Sequence, residues 1–161
     1  MSPRREGVAW ATVSVLAAAT VFETLVALEV VPVGTVPGDG ARGGGVVLAA
    51  ALLAMLVGAA VALVAALAPP ATDAPSLAQA LLAPSGVAYL AARWLTFDPY
   101  YLPTLRRYSD GGVGAPWIAA LVVAGTVAGL LTRRFPRLGA VATSGVLTVS
   151  ALTAWALGFG K

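Results

Sequence analysis

The stretch LAQALLAPSGVAYLAARWL, residues 77–95, decides how many times this chain crosses a bilayer. Its uninterrupted apolar stretch is short, and Pro84-Ser85-Gly86 stands in its middle. A proline inside a helix removes a backbone hydrogen bond, and its ring strikes the carbonyl four residues back. The segment is therefore expected either to span as a broken, kinked helix or to enter the membrane and turn back. Ser76 stands three residues before Gln79, the spacing of a capping box, so a helix is expected to open there.

On either side lie four other apolar runs, about 7–31, 46–67, 115–132 and 138–159. A helix needs about 20 residues to cross the hydrocarbon, and predominantly apolar runs of about 18 residues or more read as spans. Pro32 stops the first run, and Pro69-Pro70 stops the second. Between them a Gly/Pro-rich loop is expected over 33–45. Pro116 suits the first turn of the fourth helix. Arg133-Arg134-Phe135-Pro136-Arg137 leaves room only for a tight connection, so the last two runs form an antiparallel hairpin. Arg4 and Arg5 precede an apolar stretch, as in a signal peptide, but that stretch is too long and holds two acids, so a retained first helix is expected. The fold read from the sequence is an all-α polytopic membrane bundle, one transmembrane domain over 1–161. It has five spans with a broken third, or four spans plus a re-entrant segment.

Composition agrees. The chain is 59% hydrophobic and 11% charged, with a mean hydropathy of +0.88. Soluble domains carry about 25% charge. The absence of Cys and His removes disulfides, thiolate chemistry, Cys/His zinc sites and His-ligated haem or copper from this chain, and no cofactor or metal is expected. The net charge of +3 is read through loop asymmetry and lipid contact, not as a sign of nucleic-acid binding. Walker, GxSxG and acidic metal-binding patterns are missing, and no His is available as a base for the plentiful Ser and Thr, so the chain leans away from catalysis.

Charge bias also speaks to the doubtful segment. Short cytoplasmic loops are enriched in Lys and Arg. The two tightest basic clusters, Arg4/Arg5 and Arg133/Arg134/Arg137, share a side only if an even number of spans separates them. Counting residues 77–95 as a span satisfies that condition. It gives a cell-membrane protein with its N-terminus in the cytoplasm. Arg93, Arg106 and Arg107 then fall outside and weigh the other way. Trp10, Trp94, Trp117 and Trp155 each lie near an expected span end, where amphipathic rings favour the headgroup layer.

Glu23 is the acid inside the first run. Ionisable groups at membrane depth are costly and mark functional candidates. With Thr20 on the same helical face and Thr24 beside it, Glu23 forms a candidate proton or cation site. The structural alternative is a carboxyl that fixes packing through hydroxyls on the fifth span, namely Ser144, Thr148 or Ser150. Glu29, six residues on, is expected to pair with Arg93 at the outer boundary. The loop 96–112 gathers Tyr100, Tyr101, Arg106, Arg107 and Tyr108, which with Arg93 form a candidate site for an anionic ligand or lipid headgroup. The alternative reading of the loop is an interfacial anchor.

Small residues recur at Ala50, Ala54, Gly58, Ala62 and Ala66, at Gly125 and Gly129, and at Ala140, Ser144 and Thr148. Such ridges let helices approach closely, within a bundle or against a membrane-protein partner or second copy. The leading functional expectation is a non-catalytic accessory or scaffold subunit in the lipid bilayer. A small transporter or channel-like protein using Glu23 is the second, and a lipid- or anion-binding protein or enzyme with its site under 93–112 the third.

Overall fold

The computed structural model describes residues 3–28, 39–68, 74–97 and 114–159. Within them lie five helices and no strand: α1 (Pro3–Ala27), α2 (Asp39–Leu67), α3 (Leu77–Phe97), α4 (Ala115–Arg134) and α5 (Pro136–Phe159). Four of them, α1, α2, α4 and α5, are long and apolar enough to cross a membrane.

The helices pack as a closed ring, α1 against α3, α3 against α4, α4 against α5, α5 against α2 and α2 against α1, with α3 also touching α5 across the middle. The chain runs up and down. One end of the bundle gathers Arg5 at the start of α1, Ala68 just past α2, Gln79 at the start of α3, Arg134 at the end of α4 and Arg137 at the start of α5. The two basic clusters thus meet at one end. At the other, the Trp117 indole N–H, at the start of α4, donates to Thr153 Oγ1 near the end of α5, at 3.2 Å.

The expected break at Pro84 is not there. Helix α3 continues through it for 21 residues, about 31 Å at 1.5 Å per residue. Ser76 opens it as read, its Oγ accepting from the Gln79 backbone N–H at 3.3 Å. Proline tolerance has a local cause. Pro84 leaves the Ala80 carbonyl without its usual helical donor, and Gly129 of α4 closes against this spot. A Cβ on Gly129 would lie 2.5 Å from the Ala80 oxygen and 2.9 Å from Pro84 Cγ. One turn back, a Cβ on Gly125 would lie 2.7 Å from Val87 and 3.3 Å from the Ala83 oxygen. Helix backbone approaching this closely offers weak Cα–H donors to such carbonyls. Gly86, read as part of the breaker, is instead a socket for the Leu147 side chain of α5, which also fills the groove at Gly58 of α2.

Two boundaries move. Helix α2 begins at Asp39, so the expected loop over 33–45 gives way to helix in its second half. Each interior Gly costs only about 1 kcal/mol against Ala, which weakens a helix without forbidding it. Helix α1 ends at Ala27, and the Leu28 N–H still reaches the Thr24 carbonyl at 3.0 Å. The remaining residues of the expected first span, and the start of the expected 33–45 loop, lie outside the described residues.

The core runs through Leu16, Met55, Leu82, Tyr89, Leu90 and Leu147, all fully buried. Around the perimeter Val21, Leu53, Val123, Leu130 and Leu152 are exposed, the pattern of helices whose surroundings are apolar. Of the small-residue ridges, Ala54, Gly58 and Ala62 and the pair Gly125 and Gly129 face inward and are used within the chain. Ser144 is half-buried and Thr148 exposed.

Candidate functional site

Glu23 is the most deeply buried charged side chain among the described residues, at 1% exposure. Helix α1 carries it on the stripe Ala9, Thr12, Leu16, Ala19 and Glu23, which alternates steps of three and four and so faces one direction. Thr12 borders Gly58 of α2, and the helix packs most extensively on α3. There the Arg93 Nη1 donates to Glu23 Oε1 at 3.0 Å, forming an ion pair across the two helices. Arg93 keeps 17% of its side chain exposed. Both residues stand four positions before the ends of their helices, so α1 and α3 run side by side in the same direction with the pair at one level. Glu23 is therefore about 12 Å past the middle of α1, at 1.5 Å per residue. The span expected to reach Val31 had placed it near mid-membrane.

One turn before Arg93, Tyr89 occupies the same face of α3. It is fully buried, lies within electrostatic reach of both Glu23 and Arg93, and its hydroxyl has no hydrogen-bond partner. The Arg93 Nε is likewise buried without a partner. Among the described residues the cluster thus brings together one acid, one base and two buried donors without partners, the Tyr89 hydroxyl and the Arg93 Nε. Removing such charges from water is costly, and the mutual attraction offsets that cost only while both partners are present.

The threonines expected to join Glu23 turn elsewhere. Thr20 Oγ1 donates to the Leu16 carbonyl at 2.7 Å, and Thr24 Oγ1, on an exposed side, to the Thr20 carbonyl at 2.8 Å. These are the i−4 backbone bonds that Ser and Thr commonly make in helices. Nor does the fifth helix supply hydroxyls for the carboxyl by the bonds resolved there. Thr148 bonds to the Ser144 carbonyl at 2.8 Å, and Ser150 is buried with an unpartnered hydroxyl. Arg93, assigned from the sequence to Glu29, is paired with Glu23, while Glu29 lies outside the described residues. Tyr100, Tyr101, Arg106, Arg107 and Tyr108 lie outside them as well.

Tyr89 was not singled out in the sequence, although its i−4 spacing from Arg93 was a usable signal. Among the described residues no group of three or more His, Cys, Asp or Glu is placed to hold a metal ion. Chemically the cluster can hold two helices together and keep one charge neutralised by another. No family model matches the chain, and neither the curated proteins nor the solved structures contain a significant match to it.

Proposed function

We propose that this chain is a non-catalytic, multi-pass membrane subunit, an accessory or scaffold protein, in which Glu23 and Arg93 clamp α1 to α3. The observation that carries the reading is the 3.0 Å pair itself, with the Glu23 carboxylate sealed from solvent. A cation carrier needs an anionic site whose charge the passing ion neutralises. Here a guanidinium already occupies that position, and a cation would have to displace it.

The same reading takes all five helices as crossings of the cell membrane, with the N-terminus in the cytoplasm. Support comes from the continuity of α3 through Pro84 and from the meeting of the Arg5 and Arg134/Arg137 ends at one end of the bundle. Basic residues concentrate on the cytoplasmic side of membrane proteins.

Reconstitution in liposomes with a pH-sensitive dye tests the role. The subunit reading predicts no proton or cation flux from the chain alone, identical traces for Glu23→Gln, and recovery of a membrane partner at fixed stoichiometry from native membranes. A flux that Glu23→Gln abolishes would establish the transporter reading in its place.

A further inference from the structure

The end of the bundle opposite the ion pair holds a cavity of about 590 Å³, within the range of about 300–1,000 Å³ typical of ligand pockets. Its construction is two-toned. Leu82 of α3 and Leu138 of α5 contribute apolar wall, while Arg5, Arg134 and Arg137 supply cations. The short link through Phe135 and Pro136 sets Arg134 in the last turn of α4 and Arg137 in the first turn of α5. Arg137 Nη2 also reaches the Ala68 carbonyl at 3.4 Å, which holds it toward the end of α2. Among the described residues no carboxylate pairs with any of the three arginines.

A second observation points inward. Thr143, also lining the cavity, is 1% exposed, and its hydroxyl has no hydrogen-bond partner. It lies six residues along α5 from Arg137, about 9 Å deeper at 1.5 Å per residue. A buried hydroxyl left unbonded is uncommon, and each instance calls for a partner. The cavity therefore offers planar cationic forks at one level, a hydroxyl donor below them and apolar wall between helices.

We propose that this cavity binds an anionic phospholipid, the arginines holding its headgroup phosphate and Thr143 donating to an ester carbonyl of the same molecule, with an acyl chain along the apolar wall. Arginine forks match phosphate oxygens bidentately. Basic pockets between helices at the cytoplasmic face are suited to such headgroups. Free phosphate would satisfy the arginines but leave both the apolar wall and Thr143 unused. Arg4 and Arg133 carry equal charge beside these residues without lining the cavity, so the site can be separated from the general charge of that end.

The full chain in a neutral detergent is titrated with phosphatidylglycerol, with phosphatidylcholine of the same acyl chains and with inorganic phosphate, and bound equivalents are counted by native mass spectrometry. One equivalent of phosphatidylglycerol is expected, at least tenfold tighter than phosphatidylcholine, with no phosphate retained. Replacing Arg134 and Arg137 together by Gln should weaken phosphatidylglycerol at least tenfold, and Arg133→Gln less than twofold. Thr143→Val should weaken both lipids several-fold. If the double variant loses its helical circular dichroism, Arg137→Lys, which keeps the charge but not the fork, carries the test with an expected threefold loss. Equal affinity for the two lipids, equal damage from Arg133→Gln, or phosphate bound as tightly as phosphatidylglycerol would overturn the proposal.

Discussion

Glu23 and Arg93 stand 70 positions apart, and their contact decides what the acid means. Alone in an apolar helix Glu23 looks like a proton or cation site. Beside a guanidinium it becomes half of a neutral pair. The acid was legible in the sequence because it interrupts an uncharged run. Its partner was not, since pairing depends on the register between α1 and α3. Extending the first helix to Val31 placed Glu29 at the level of Arg93, whereas a helix ending at Ala27 brings Glu23 to that level. Tyr89 escaped notice because a tyrosine in an apolar run looks like core, and core it is. Its unbonded hydroxyl makes a prediction. An unsatisfied buried hydroxyl costs about 1–3 kcal/mol, so Tyr89→Phe should leave the unfolding free energy in detergent unchanged or raise it, by up to about 1 kcal/mol. A large loss would mean that the hydroxyl serves the ion pair.

At the scale of elements, glycines settle what proline left open. Pro84-Ser85-Gly86 signals a break by local rules, and the helix persists because α4 and α5 are shaped to receive it. Gly125 and Gly129 admit the backbone around Pro84, and Gly86 receives Leu147. The Gly125/Gly129 spacing was visible in the sequence, but the helix it meets was not. The same logic ranks substitutions. A Cβ on Gly139 would collide with the backbone of Thr132 across the α4–α5 turn, whereas one on Gly145 meets nothing. Thermal or denaturant unfolding should show Gly139→Ala losing about 1–3 kcal/mol through overpacking. Gly145→Ala should be neutral or gain up to about 1 kcal/mol from helix propensity. Equal effects at both positions would contradict this packing of the hairpin.

For the whole molecule, the up-and-down ring separates two kinds of charge. One end carries arginines around a cavity. The other holds the buried Glu23–Arg93 pair at the seam of α1 and α3. The all-helical architecture and the helices of the ring were readable from hydropathy, while the cavity was not, because it arises only where the ends of five helices meet. The stability of the bundle should depend most heavily on the pairing of Glu23 with Arg93. Removing one partner of a buried pair costs about 3–5 kcal/mol, because the other charge is left uncompensated. The direct measurement is unfolding stability in detergent of Glu23→Arg, Arg93→Glu and the double exchange. Each single exchange should lose at least that much, with the double recovering more than half of the loss. Single variants as stable as the parent, or a double exchange no better than the worse single, would contradict the clamp.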